Sequence, residues 1–487
     1  MTAQTILPAN SGGELGFSVT NSVRMNAADS AKMAIDFSGA GNQKKFTISC
    51  WIKRGTITPD NSQTILSNYA DVNNFCNFTL NTGDKLSFVN RDGGTFNTNV
   101  ATTRLFRDPS AWYHVVLSVD TGQGTNTNRI KMYVNGVQET SFSTATYPDQ
   151  DTDLKFNTTA TTNFGSWSGS AQYADGYYSE LVFIDNAQLA ADQFGEFDED
   201  SGIWKPLESV ADLTFGTNGF YLDFKDSGNL GNDANGGTDL TETNLAATDQ
   251  STDTCTNNFC IMNPLANFVT AATFTEGNLI TSFANGRGTC TSTFGLTTGK
   301  WYVEMNITTM PKDERFGLGI SPFETKAEDL PHDANNQGID LSGYNAVIYA
   351  NTDSGSGVID NFFGNNTTRF DSFTGIIGMA LDLTSATKTI AFSKAGAWVT
   401  GGGTSDTDFS NALKVDISTS FARHDVWHIA CGTGNGDGTN GIFSMNFGSP
   451  AFAISSSNTD GAGFGNFEYA VPSGYLALCT KNLATNG

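Results

Sequence analysis

Positive charge is scarce in this chain, and charge of either sign is uncommon. Of its 487 residues 16% are charged, with 26 Lys plus Arg against 50 Asp plus Glu and a net charge of −24. The acidic excess is spread over both halves, so no cationic cluster remains to neutralise phosphates, and nucleic acid is excluded as an expected partner. Anionic membrane surfaces are disfavoured for the same reason. No apolar run approaches the roughly 20 residues that cross a bilayer. The opening MTAQTILPANSGGELGF has neither a basic nor an apolar leader region, so membrane insertion and Sec-type export are not expected. Histidine is rarer still: His114, His332, His424 and His428 are all there is, little material for a zinc enzyme or a histidine-based triad. The seven cysteines are odd in number and scattered, and read as reduced and packed. Cys255 and Cys260 lie close together in TDTCTNNFC, but their spacing suits neither a CxxC redox motif nor a zinc knuckle.

Helical periodicity is also missing, because Gly or β-branched residues interrupt most windows. Period two is present instead. In FTISCWIK, Phe46, Ile48, Cys50 and Ile52 share one face and Thr47, Ser49, Trp51 and Lys53 the other. Tyr113, Val115, Leu117 and Val119 align in WYHVVLSVD, as do Ile130, Met132 and Val134 in RIKMYVNGVQ. Asn135-Gly136 then predicts a type I′ hairpin. With 36 Phe, 13 Tyr and 7 Trp the chain has bulky groups enough to fill sandwich interiors, and its length implies two or three domains. The expected fold is all-β, two antiparallel sandwiches joined by a polar connector rich in Gly, Asn, Asp and Thr.

The order FTISCWIKR, ILSN, WYHVVLSVD, IKMYVNGVQ and YADGYYSELVFID resembles the laminin-G-like, concanavalin-A-like jelly roll. Further on, GKWYVEMNIT, FGLGIS, GIIGMALDLT, KTIAFSKAG and IFSMNFG resemble the SPRY sandwich, with Ala395 where that family usually has Asn in a turn. The implied division is an N-terminal docking segment 1–35, a laminin-G-like sandwich 36–190, a connector 191–265, a SPRY-like sandwich 266–470 and a tail 471–487. Together with FGEFDEDSGIW, NNFCIMNPLA and PSGYLALCTKNLA, the whole resembles virion structural proteins of tailed, particularly marine, bacteriophages. That resemblance implies a non-enzymatic protein of the tail or capsid surface, assembled in the host cytoplasm among other virion proteins as a homo-oligomer, a trimer by default. It would recognise host glycans or proteins, or decorate and cement the particle without a ligand of its own.

Several residues offer chemistry. Trp167, Tyr173, Asp175 and Tyr177 cluster in GSWSGSAQYADGYYSE, and Trp398 follows a SPRY-like turn. Ring faces beside carboxylate or amide oxygens suit sugars, so these five are the expected glycan contacts. Asp149, Asp151 and Asp153 alternate in YPDQDTDLKF and could donate oxygens to a shallow calcium site, although Leu154 and Ala160 occupy positions where an EF-hand loop needs Gly and Glu. No other cofactor is expected. Glu196, Asp198 and Asp200 in GEFDED approach the carboxylate motif of laminarinase-type glycosidases, but a turn follows at once and cannot fix the required spacing, so polysaccharide hydrolysis ranks third. The run CGTGNGDGTNG, with Asp437, lacks the Lys and spacing of a phosphate-binding loop and reads as a hairpin.

Overall fold

The computed structural model describes residues 17–487, apart from 270–271, 284–286, 312–315, 323–337, 343–346, 353–354, 361–372, 402–403 and 435–439. His332, Asp437 and residues 1–16 of the expected docking segment therefore lie outside the described residues. The chain forms two compact units, the first ending at Asn258 and the second running Phe259–Gly487.

In the first unit the period-two segments become two antiparallel sheets. One has the order Val137–Gln138, Ile130–Val134, Trp112–Asp120, Lys45–Arg54, Gly176–Asp185, Ser22–Met25 and Gln250–Ser251, with Phe220–Leu222 also on Gly176–Asp185. The other has the order Phe142–Thr146, Thr95–Thr102, Leu86–Asp92, Asn74–Leu80, Gln63–Asp71, Thr161–Phe164, Lys32–Ile35 and Thr241–Thr243. Phe46, Ile48, Cys50 and Ile52 point inward and meet Phe78, Phe88 and Val100 of the facing sheet in one buried core. Phe46 is ringed by Phe156, Phe88 and Phe183 at centroid distances of 4.8, 6.4 and 6.3 Å. Burying each such ring contributes about 1.5–3 kcal/mol, so alternation in the sequence fixes which face is inside. Asn135 and Gly136 have φ of 46° and 79°, the type I′ geometry that returns Val137 onto Val134.

The polar stretch after residue 190 differs from the expected connector. Phe220, Leu222, Phe224, Leu230 and Leu240 enter the core of the first sandwich, and three short strands extend its two sheets. Between these anchors Asp and Asn side chains satisfy the backbone: Asp233 accepts from the amides of Tyr221, Asn235 and Gly237. Likewise Ser22–Met25 and Lys32–Ile35, within the expected docking segment, are integral strands with buried Val23, Met25 and Met33.

The second unit also has two sheets. Among the described residues one comprises Met262–Val269, Arg287–Ser292, His428–Gly434, Phe316–Ser321, Ile339–Ser342, Val347–Thr352 and Gly355–Asp360. The other is centred on Gly441–Asn446, Lys300–Thr309, Gly375–Asp382 and Thr389–Lys394. Lys300–Thr309 is buried on both sides. Tyr302, on its second face, packs with Trp398, Phe467 and Tyr475, so the expected tail belongs to this core. Glu304 on the same strand accepts from the amides of Glu468 and Tyr469, from Asn446 Nδ2 and from Tyr302 Oη, which binds the C-terminal segment to the sheet. The turn after Lys394 is type I′ with Ala395 at φ 49° and Gly396 at 78°.

Candidate functional site

The two outward sheet faces of the first sandwich have different fates. On the first sheet, Ser49, Trp51 and Lys53 alternate with the core residues of Lys45–Arg54 and face away from the core. The segment that follows Gly176–Asp185 folds back over them. Phe194, Trp204, Pro206, Val210, Phe215 and Tyr221 are buried in this cover, and Phe194, Pro206 and Val210 roof a small cavity floored by Ser49, His114 and Glu180.

A serine and a histidine in one cavity invite comparison with a nucleophile and base. The hydrogen bonds are wired the other way. Trp204 Nε1, which can only donate, points at His114 Nδ1 at 3.0 Å, and His114 Nε2 lies 2.8 Å from Ser49 Oγ. Nδ1 must accept, so the ring proton sits on Nε2 and is donated to the serine, leaving no lone pair to take the serine proton. Burial also lowers the His114 pKa to about 3, so the ring stays neutral. Glu180 accepts a hydrogen bond from Tyr221 Oη rather than orienting the histidine, and burial raises its pKa to about 7.

The acidic hairpin is equally unsuited to hydrolysis. Glu196 and Asp198 both reach Lys205 Nζ at 3.3 Å, and Asp198 also accepts from the amide and hydroxyl of Ser201. These bonds, the Ser201 amide first, lower its pKa to about 2, whereas a general acid needs a raised one.

The second sheet presents a different face. In NFCNFTL the inward residues are Cys76, Phe78 and Leu80, and Phe75 and Asn77 point outward. Register places Tyr69 opposite Phe75, Phe75 opposite Arg91, and Arg91 opposite Phe96, so an aromatic row with one cation crosses four strands. The Trp167 ring stands edge-on to Tyr69 and Phe75 at 5.0 and 5.1 Å, and Phe75 stands edge-on to Phe96 at 6.1 Å. The Arg91 guanidinium lies 5.1 Å from the Phe96 ring, its Nε and Nη1 holding the carbonyls of Gly94 and Val72. Phe96 is 49% exposed, Val72 is 53% exposed, and Trp167 is half-buried. One residue pair along the strands, Asn77 is 4% exposed; its Nδ2 donates to Gln172 Oε1 at 3.3 Å, but its buried Oδ1 has no partner. Among the described residues it shares this with other buried polar atoms, such as Thr64 Oγ1 on the same sheet and Ser118 Oγ on the first.

Of the residues singled out by sequence, Trp167 belongs to this row, and half-buried Tyr173 donates to the Gly169 carbonyl in the same loop. The other aromatic candidates are enclosed. Tyr177 is 0% exposed, its ring packed beside Trp112 and 5.4 Å from Lys53 Nζ. Trp398 is 4% exposed, wedged between Tyr302 and Phe409 in the second unit. Asp175 is buried, its carboxylate accepting from Thr56 Oγ1, so it braces the sandwich instead of facing a sugar. Asp149, Asp151 and Asp153 are exposed, with Asp153 paired to Lys44 at 3.9 Å, and among the described residues no three acidic, histidine or cysteine side chains converge to hold a metal. Tyr69, Phe75, Asn77 and Phe96 were missed by sequence reasoning. Their signal was aromatic residues on the polar side of alternating strands.

Residues 15–192 match the family described as the concanavalin A-like lectin/glucanases superfamily, and carry a laminin G-type, lectin-like domain. No curated protein matches the chain. Among solved structures, the chain is similar to domains LG4-5 of the mouse laminin alpha1 chain, at 10% identity and a TM-score of 0.29, covering 98% of this chain and 91% of that one. It is similar to the SPRY domain of human HERC1 at 15% identity and a TM-score of 0.25, covering 38% of this chain and 96% of that one. Domain 4 of AbnA, an extracellular arabinanase of Geobacillus stearothermophilus seen with arabinotriose, matches at 19% identity and a TM-score of 0.26, covering 38% and 84%.

Proposed function

We propose that this is a non-enzymatic recognition protein whose first unit holds a glycan against the outer face of its second sheet. The observation that carries the reading is the row of exposed Phe96, half-buried Tyr69 and Trp167 and buried Phe75, beside the Oδ1 of Asn77. Sugars present C–H faces and hydroxyl edges together; rings take the first and an orphan acceptor with Gln172 takes the second. The lectin-like character of residues 15–192 supports the same class of ligand.

The setting we propose is the tail or capsid surface of a tailed bacteriophage, with host-surface glycan as the ligand and other virion proteins as neighbours. What supports it is the order of segments along the sequence. A decorating or cementing role is the second reading, favoured by exposed apolar Val137 and Phe197, 55% and 50% accessible, on two adjoining hairpins whose turn and ring meet Trp204.

Glycan-array and host-cell binding of the intact chain tests this. Phe96→Ala and Trp167→Ala alter accessible rings and should each weaken binding at least tenfold, about 1.4 kcal/mol, with binding unchanged by EDTA. Binding that survives both substitutions, or that EDTA abolishes, overturns the site. Silence of the parent chain on every glycan and host surface favours decoration.

A further inference from the structure

Three polar side chains of the first unit are buried together on the covered face of its first sheet. Lys53 and Asp253 are each 1% exposed and Asn258 is 3% exposed. Lys53 Nζ lies 2.7 Å from Asp253 Oδ2 and 2.6 Å from Asn258 Oδ1. The surroundings fix all three. Trp112 Nε1 donates to Asp253 Oδ1 at 3.1 Å, Ser22 Oγ donates to the Asp253 carbonyl at 2.6 Å, and the Tyr177 ring flanks the amine. Asn258 Nδ2 donates to the Ser110 carbonyl at 2.6 Å, so the carboxamide is held with its oxygen, and hence its carbon, toward the lysine.

A buried ammonium needs a carboxylate, and Asp253 supplies it. The ion pair alone does not explain why a carboxamide should be pinned against the same nitrogen. An amine, a carboxamide carbon and a carboxylate that touches the amine, all shielded from bulk water and held by rigid strands, are the components of a transamidation.

We propose that Lys53 and Asn258 join through an intramolecular isopeptide bond, with Asp253 as the proton carrier. Asp253 Oδ2 takes a proton from Nζ, and the nitrogen lone pair attacks Cγ of Asn258 as the carbonyl electron pair moves to Oδ1. Asp253 passes its proton to Nδ2, the Cγ–Nδ2 bond breaks as the carbonyl re-forms, and ammonia leaves, carrying away as ammonium the second proton that Nζ sheds. One C–N bond forms and one breaks, nothing is oxidised or reduced, and no co-reactant enters. The bond closes a covalent loop between residues 205 apart in sequence and fastens the 250–258 strap to the central strand of its sheet. This proposal is independent of the glycan site, which lies on the other sheet.

The test is the mass of the whole chain, unfolded after purification. The expected value is lower than the sequence mass by one ammonia, about 17 Da, and a protease digest should contain a branched peptide joining Lys53 to Asn258, with no cleavage after Lys53. Asn258→Ala and Asp253→Asn should each restore the unbranched peptides. A succinimide at an Asn-Gly step such as Asn135-Gly136 would lose the same mass, but it leaves linear peptides and is opened by hydroxylamine; that outcome overturns the proposal. So does a full-mass chain cut normally after Lys53. The parent digest decides the matter even if Asp253→Asn fails to fold.

Discussion

Glu180 and His114 line one cavity and are displaced in opposite ways, which makes a sharp prediction about pH. Glu180 rises from 4.5 to about 7 because burial penalises its charged form, so the folded state holds a proton there that the unfolded state has released. Its favourable contribution is complete below about pH 4.5 and is lost as pH rises through 7. His114 falls from 6.5 to about 3 for the same reason, so its contribution is complete above 6.5 and is lost as pH falls toward 3. Each changes stability by about 1.4 kcal/mol per pH unit inside its window. Between pH 4.5 and 6.5 the slopes are equal and opposite, and these two groups together leave the first unit's stability flat. Glu180→Gln keeps an acceptor for Tyr221 and removes one of the two slopes. The difference in unfolding free energy between variant and parent, in which every other titration cancels, should climb in the variant's favour by about 3 kcal/mol from pH 4.5 to 7.5 and level off outside that range. Urea titrations followed by tryptophan fluorescence at half-unit pH steps would measure it. A difference that stays constant with pH would show that Glu180 is ionised in the folded protein and refute the reasoning.

Other substitutions test the architecture. Ala395→Asn places at φ 49° a residue that tolerates the left-handed region, at an exposed position with no packing to lose, and should stabilise the second unit by about 0.5–1 kcal/mol, a rise in Tm of about 1–4 °C by calorimetry. Gly396→Ala, in the same turn, should do the reverse by more than about 2 kcal/mol, since at φ 78° its Cβ would stand 2.4 Å from Cδ1 of Tyr469 in the C-terminal segment. Trp204→Phe removes the Nε1 donor to His114 Nδ1 and should cost the first unit about 1–3 kcal/mol in denaturant titrations, without exposing the ring row of the second sheet.

What could be read in the sequence and what could not divides along a physical line. Period two announces which side of a strand meets the core, because a one-residue slip would turn Phe46, Ile48 and Cys50 to the outside, and Asn135-Gly136 announces its turn because the φ signs allow few residues. Neither signal says what covers the other side. Tyr177 and Trp398 look like loop or rim aromatics in sequence, yet Tyr177 lies beneath a strap whose residues come some 70 positions later, and Trp398 lies against Phe409 and Tyr302. The covering strap itself is illegible by composition, since a few apolar anchors are spread through a run whose Asn and Asp side chains serve its own backbone. The same limitation hid the ring row: Phe75 and Phe96 belong to different strands, and only register sets them in line with Tyr69.

The outer face of the first sheet is covered, and its main polar groups pair within the unit: Ser49 with His114, His114 with Trp204, Glu180 with Tyr221, Lys53 with Asp253 and Asn258. The second sheet keeps the exposed ring of Phe96 and the half-buried rings of Tyr69 and Trp167 on its outer face. One face is covered and the other carries the proposed site, and the two can be separated experimentally. Asn258→Ala should abolish the loss of ammonia and leave glycan affinity within twofold, because the edited carboxamide sits behind the core from the ring row. Phe96→Ala should do the opposite, lowering affinity at least tenfold with the branched peptide intact, about 1.4 kcal/mol confined to one face. If Asn258→Ala weakened glycan binding as much as Phe96→Ala does, the division of labour between the two faces would be wrong, and the strap would have to be counted as part of the binding site.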